Sequence, residues 1–310
     1  YSGLNYTKAE NIKLRATSGS VTAVNSDQII VSPATAVKLT FTQQLSTTAI
    51  VDVNFSTQPM VALQDTYGNT ITTDNATQIT LARGAKGTAE LQGTKTATVV
   101  SGVATFSGLS YSKAEIMNIL ASSGSYASAT SNDVTISAGP ASKVVLSGTT
   151  DVVADQPYAA TITSQDSGSN IAGTAADAVF NLTVSPAGSG KFYSDSGGTS
   201  EITSTTITSG TSNKEFYFKG MAAVNSTPII TATWSSGAPD LGSANQTYTI
   251  TTAGTAAVLV FTTQPASTAT AGENLTIQPQ VTLKDAYGNI RIGDSTTEIT
   301  LSAVLASDGT

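Results

Sequence analysis

Apolar and polar residues alternate over short stretches along the whole chain. In Val37-Lys38-Leu39-Thr40-Phe41, Gln78-Ile79-Thr80-Leu81 and Asp133-Val134-Thr135-Ile136, every second side chain is Val, Leu, Ile or Phe. Successive side chains of a strand point to opposite faces, so this pattern predicts strands with one face on a core and one in water. Thr98 to Phe106 reads as one more strand of the same kind. Gly, Asn, Asp and Pro interrupt the pattern every few residues, as turns between short strands do. Helical periodicity is nearly absent, and its best candidate, Lys113-Ala114-Glu115-Ile116-Met117, amounts to a single turn.

The pattern recurs. Residues 1–41 align with 106–146 at a constant offset of 105, pairing Tyr6-Thr7-Lys8-Ala9-Glu10 with Tyr111-Ser112-Lys113-Ala114-Glu115. Residues 41–81 align with 261–301 at an offset of 220, placing Asp65-Thr66-Tyr67-Gly68-Asn69 on Asp285-Ala286-Tyr287-Gly288-Asn289. A divergent copy lies between, with Gln165-Asp166-Ser167-Gly168-Ser169-Asn170 at the turn. Gap-free self-similarity at such a period marks an array of like units. Short seams, Ser137-Ala138-Gly139-Pro140 and Thr252-Ala253-Gly254-Thr255, separate the copies. The expected organisation is a C-terminal half repeat (1–34), a complete repeat (35–139), a divergent repeat (140–253) and an N-terminal half repeat (254–310). Several short strands in about 105 residues predict an all-β chain of tandem immunoglobulin-like sandwiches, stable without disulfides.

Three motifs carry a resemblance to a known family: Leu259-Val260-Phe261-Thr262-Thr263-Gln264-Pro265, Asp285 to Asn289, and Gly102-Val103-Ala104-Thr105-Phe106-Ser107-Gly108-Leu109. The chain resembles the bacterial immunoglobulin-like (Big, invasin-type) repeats of large secreted and surface proteins. The middle copy departs from the motif, lacking the Tyr before the turn Gly. The resemblance implies a stalk, adhesin shaft, filament or surface-layer role, and it supplies no catalytic residues to carry over.

Composition narrows the chemistry. The 310 residues contain no Cys and no His, which removes thiolate nucleophiles, imidazole bases and Cys/His zinc sites. Charged residues make up 11% of the chain against a usual value of about 25%, and 52 Thr and 38 Ser take their place. A net charge of −7 argues against a nucleic-acid partner, because phosphate binding needs clustered Lys and Arg. The longest apolar run, Ala256 to Phe261, is too short to span a membrane. The opening Tyr-Ser-Gly-Leu does not read as a leader peptide. No Gly-x-Ser-x-Gly elbow or phosphate-binding Gly-Lys-Ser/Thr loop occurs, and the chain is expected not to be an enzyme.

Few residues remain as candidates for binding. In the Asp-x-Tyr-Gly-Asn turns, the Gly suits a positive φ and the Asp and Asn suit bonds to nearby backbone. Asp65 with Asp74, and Asp285 with Asp294, offer the alternative of a Ca²⁺ site at a repeat junction, although no dense acidic loop accompanies them. Trp234, the only Trp, and Tyr193 are candidates for an aromatic platform that binds sugar, with core packing as the plainer role. Seven Asn-x-Ser/Thr sequons, at Asn5, Asn54, Asn75, Asn181, Asn225, Asn245 and Asn274, make glycans a further candidate partner.

Together these features predict an extracellular or cell-surface structural protein forming a filament, sheath, stalk or surface layer. Its expected partner is itself, either as a head-to-tail homopolymer or as the continuation of a longer chain. The half repeats at the two ends supply complementary strands, which favours both arrangements. The alternative is an adhesin or carbohydrate-binding module that presents loops of the divergent repeat, with Ser185 to Tyr193 at its tip.

Overall fold

The computed structural model describes residues 2–124, 126–237, 239–292 and 294–304. Every regular element among them is a β-strand, and no helix is present that could cross a membrane. The fold is all-β, built from immunoglobulin-like sandwiches. The chain divides into two compact units. The first takes everything up to Gly139 together with Asp166–Ile171, and the second takes Pro140–Gln165 and the chain from Ala172 on.

In the first unit, Lys38–Gln43, Met60–Gln64 and Val103–Thr105 form one sheet, with Leu39 opposite Leu63 and Phe41 opposite Val61. Thr96–Thr98, Gln78–Arg83, Ile119–Ser122 and Ala129–Thr130 form another. Along Gln78–Arg83 the side chains alternate between exposed and buried, so Ile79 and Leu81 enter the core while Gln78 and Thr80 face water. The core gathers Val61, Leu63, Ile79, Leu81, Leu109, Tyr111, Met117 and Ile119, all essentially inaccessible. Removing this apolar surface from water is the main force holding such sandwiches together.

The second unit repeats the scheme with longer strands. A five-stranded sheet runs in the order Lys143–Gly148, Pro157–Gln165, Asn213–Gly220, Gly190–Tyr193, Glu201–Ile202. A four-stranded sheet runs Ser204–Ile207, Ala178–Ser185, Ile229–Ser236, Ser243–Thr247. Its core is aromatic: Phe192 meets Phe216 edge to face at 6.1 Å, and Phe218 tilts against Tyr248 at 4.7 Å. Each unit also contains one parallel pair. Thr48–Ile50 lies beside Val134–Ser137, and Asp151–Val153 beside Thr249–Thr252.

Two local expectations change. The stretch from Thr98 to Phe106 is a hairpin, with Thr96–Thr98 and Val103–Thr105 in different sheets. Ser101 and Gly102 turn the chain at φ of +51° and +77°, the reversal that a two-residue hairpin with right-twisted strands requires. Gly102 is needed there, because an added Cβ would sit 2.5 Å from the Ile71 carbonyl oxygen. The Lys113–Met117 segment forms no helical turn and ends in the short strand Ile116–Met117.

The outer parts of the chain are thinner. Near the start, Asn11–Ile12 pairs with Ile29–Ile30, and Arg15–Ser18 with Val21–Asn25. Towards the end, Ala256–Thr263 pairs with Gln280–Asp285. Leu4, Leu14 and Ile29 are 73%, 49% and 40% exposed, whereas their aligned counterparts Leu109, Ile119 and Val134 are fully buried. Leu259 likewise is 52% exposed against 4% for its counterpart Leu39. Replacing Phe218 with Ala would leave a void between the rings of Phe192 and Tyr248 and is expected to cost about 3–5 kcal/mol in urea unfolding of the second unit.

Candidate functional site

The most specific local feature of the sequence is a latch, repeated three times. Each Asp opens a tight turn in which its own backbone N–H donates to the carbonyl of the Asn four residues on, at 3.0 Å for Asp65 and Asp285 and 2.9 Å for Asp166. The turn needs a left-handed residue at its fourth position. Gly68 and Gly288 supply it at φ of +90° and +84°, and in the divergent copy Ser169 takes it at +70°. The Gly of that copy, Gly168, stands one position earlier, so Ser169 bears the steric cost that Gly avoids.

The side chains then reach back to earlier segments of the chain. Asp65 Oδ1 accepts N–H bonds from Tyr67 and Asn69 at 2.9 and 2.8 Å. Its Oδ2 accepts from the backbone of Ala34 at 2.9 Å and from Asn69 Nδ2 at 2.8 Å. The Asn69 amide is engaged at both ends. Its Oδ1 accepts the Ala9 N–H at 2.8 Å, and its Nδ2 donates to the Thr7 carbonyl at 2.8 Å.

The same bonds recur at the next two seams. Asp166 Oδ2 accepts from Gly139 N at 3.0 Å, Asn170 Oδ1 accepts from Ala114 N at 2.9 Å, and Asn170 Nδ2 donates to the Ser112 carbonyl at 3.4 Å. Asp285 Oδ2 accepts from Gly254 N at 2.8 Å, Asn289 Oδ1 from Val224 N at 2.7 Å, and Asn289 Nδ2 donates to the Ala222 carbonyl at 3.1 Å. The turn residues Asp166–Ile171 accordingly fall in the first compact unit, although the strands on either side belong to the second.

The three carboxylates are almost completely enclosed, with 0–2% of each residue exposed. Burial by itself would raise their pKa. Against that, N–H donors from the Asn69 side chain and from the backbone of Ala34, Asn69 and Tyr67 hold Asp65 down at about 2. Asp166 and Asp285 are lowered in the same way, burial again being outweighed by the Asn partner and by Gly139 or Gly254 at the seam. Each latch is therefore an ionised carboxylate whose lone pairs are filled by amide donors.

A second cluster repeats at the offset of 105. Tyr111 Oη accepts N–H bonds from Thr88 and Ala89 and donates to Glu115 at 2.7 Å. Tyr6 and Glu10 form the equivalent pair near the start of the chain. The sequence alignment placed these residues in register without revealing their bond.

The other candidate residues lie apart from one another. Asp74 caps its own loop, accepting from Ala76 N and Thr77 N at 2.8 and 2.9 Å, and Asp294 does the same with Thr296 and Thr297 at 3.0 Å each. Donors at the seam occupy Asp65 and Asp285, and donors in the loops occupy Asp74 and Asp294. Among the described residues no group of three or more acidic side chains gathers that could hold a metal. Tyr193, 7% exposed, packs in the five-stranded sheet with Lys219 Nζ 5.9 Å from its ring centroid. Trp234 is half-buried in the four-stranded sheet beside Phe180, so the two aromatics share no surface. Ser185 to Tyr193 folds as the end of one strand, a turn and the whole of the short strand Gly190–Tyr193.

No protein-family model matches the chain, so the resemblance to Big-type repeats rests on the quoted motifs. No curated protein matches it either. Solved structures with similar sandwiches include a glycosyl hydrolase family 2 member from Bacteroides cellulosilyticus, at 17% identity and a TM-score of 0.30, with 64% of this chain and 24% of that one covered. The Escherichia coli adhesin FdeC shows 17% identity and a TM-score of 0.35, with 86% and 79% covered. Domains 4 and 5 of the S-layer protein SbsC show 17% identity and a TM-score of 0.25, with 71% and 99% covered. The chain thus spans about a quarter of the hydrolase. At these scores the likenesses carry no functional argument.

Truncating Asp166 to Ala would strand the Gly139 N–H and the Asn170 amide in a buried site. It is expected to cost about 3 kcal/mol in denaturant unfolding of the first unit. All three latch carboxylates ionise at lower pH folded than unfolded. Their contribution is therefore complete above the ordinary carboxylate range of about 4 and is lost as pH falls through the depressed folded values. Melting temperature should stay level from neutral pH to that range and then drop, and replacing all three Asp residues with Asn should flatten the drop.

Proposed function

We propose that the chain is a non-enzymatic structural component of an extracellular or cell-surface assembly, in which immunoglobulin-like repeats are joined in series by the Asp/Asn latch. The observation that carries this reading is the threefold recurrence of one hydrogen-bond pattern, atom for atom, at three successive seams. A device that ties each repeat to its predecessor is what a tandem array needs, because such arrays draw stability from nearest-neighbour interfaces as well as from each unit.

The outer segments add support. The side chains that Leu4, Leu14 and Ile29 present are the ones that Leu39, Val61, Leu63, Ile79 and Leu81 cover in the complete repeat. The C-terminal segment carries the counterparts of that second set in Leu259, Val281, Leu283, Ile299 and Leu301. On this reading, further strands of the same kind complete both, from the same polypeptide or from a second copy set head to tail. The charge content of 11% suits close lateral packing, since few ions must be desolvated. An aromatic sugar-binding platform has less support, because Tyr193 is enclosed and Trp234 lies on the other sheet.

Electron microscopy of the protein purified from its source tests the reading. Extended or lattice assemblies with a regular repeat are expected, and they should shorten or dissociate when all three latch Asp residues are replaced by Ala. Monodisperse particles that bind a glycan, and lose that binding on Trp234→Ala, would instead establish the module reading.

A further inference from the structure

The seven sequons find no use in the latch or in the cores, and none of their asparagines is buried. All seven sequon asparagines are exposed. Of the remaining eight Asn residues, five are buried or half-buried, and all five spend their side chains on internal hydrogen bonds, as Asn118 and Asn289 do. Six of the seven sequon amides make no side-chain hydrogen bond among the described residues, and only Asn75 is engaged, accepting from Ser101 N and donating to the Thr73 carbonyl. Every buried or half-buried asparagine thus lies outside a sequon, although Asn11, Asn25 and Asn213, also outside the sequons, are exposed as well.

Two of the sites share one surface. In the strand Ala178–Ser185, Asn181 and Thr183 are two residues apart and both project outward, while Leu182 between them is 6% exposed and points inward. In Ser243–Thr247, Asn245 and Thr247 repeat this arrangement on the edge of the same sheet. Between the two strands, Thr233 stands opposite both Asn181 and Ser243, and Thr231 opposite both Thr183 and Asn245. Apart from the exposed Ile229 opposite Thr247, the outer face consists mainly of amides and hydroxyls, and the four strands of this sheet contain no Asp, Glu, Lys or Arg at all. The opposing five-stranded sheet carries Lys143, Lys191, Lys214, Lys219, Glu201 and Glu215. Exposed sheet surfaces ordinarily rely on charge to discourage unwanted association, and this one has none.

We infer that this face is a glycosylation surface, with N-linked glycans on Asn181 and Asn245. The donor is a glycan carried on a lipid phosphate, used by an oligosaccharyl transferase. The Asn carboxamide nitrogen forms a bond to the anomeric carbon, the bond from that carbon to the phosphate oxygen breaks, and the lipid phosphate departs with its electron pair as the amide nitrogen loses one proton. The sugar then supplies the hydrated steric cover that charge supplies elsewhere. The other sequons with free amides, at Asn5, Asn54, Asn225 and Asn274, offer the same exposed chemistry in loops.

Peptide mass spectrometry of the protein purified from its source, with fragmentation that keeps side-chain modifications in place, tests this directly. Sugar masses localised to Asn181 and Asn245 are expected. Asn181→Gln should remove one glycan mass and leave the melting temperature of the unmodified polypeptide unchanged, because that side chain bonds to nothing. Bare asparagine at both positions, or sugar confined to Ser and Thr hydroxyls, would overturn the inference. Either result is independent of whether the protein assembles.

Discussion

A carboxylate taken almost wholly out of water is tolerable only when other donors replace the water it loses. At each seam, four N–H bonds do so for Asp65 and Asp285, two of them from the turn that the Asp itself opens. The third comes from the Asn four residues on, and the fourth from the chain entering the repeat. The turn and the seam therefore form together. A loosened seam leaves a buried charge short of a donor, and a distorted turn leaves the seam N–H without an acceptor.

The sandwiches supply the rigidity behind this arrangement. Asp65 directly follows Met60–Gln64, which lies in the middle of its sheet with Val61, Ala62 and Leu63 buried, so the turn is anchored at the end of the best-packed strand. Asp166 follows Pro157–Gln165, which is likewise central in its sheet, whereas Asp285 ends Gln280–Asp285, which pairs with Ala256–Thr263 alone among the described strands. The receiving segments, Thr7 to Ala9 and Ser112 to Ala114, adjoin the tyrosine–glutamate pair, which fixes the path of the second through bonds to Thr88 and Ala89.

Much of this was legible in the sequence because sandwich strands announce themselves by a period of two, and because the chain repeats itself. Gln78–Arg83 and Val134–Ser137 lie where alternation predicted them. The hairpin at Ser101-Gly102 was obscured because apolar residues continue on both sides of it, and only the Ser-Gly pair betrays the turn. At the site, the sequence identified the Asp and Asn of the turn and their local role. It could not show that Asp65 also reaches Ala34, 31 residues away, or that Asn69 reaches Thr7, 62 residues away. Those partners are main-chain groups, and a main-chain N–H carries no letter of its own. Ser169 in place of Gly hid the second latch further, since its left-handed backbone is visible only in three dimensions.

The segment gripped by each Asn is recognised through one backbone N–H and one backbone carbonyl. Its side chains take no part in those two bonds, and they differ accordingly: Thr7-Lys8-Ala9 at the first seam, Ser112-Lys113-Ala114 at the second, Ala222-Ala223-Val224 at the third. A joint read this way is indifferent to much of the spelling on its receiving side. Copies can drift apart, as the middle one has, and still couple to whichever neighbour precedes them, so a gene of this design can be lengthened, shortened or shuffled by whole units without a matching change at each new junction.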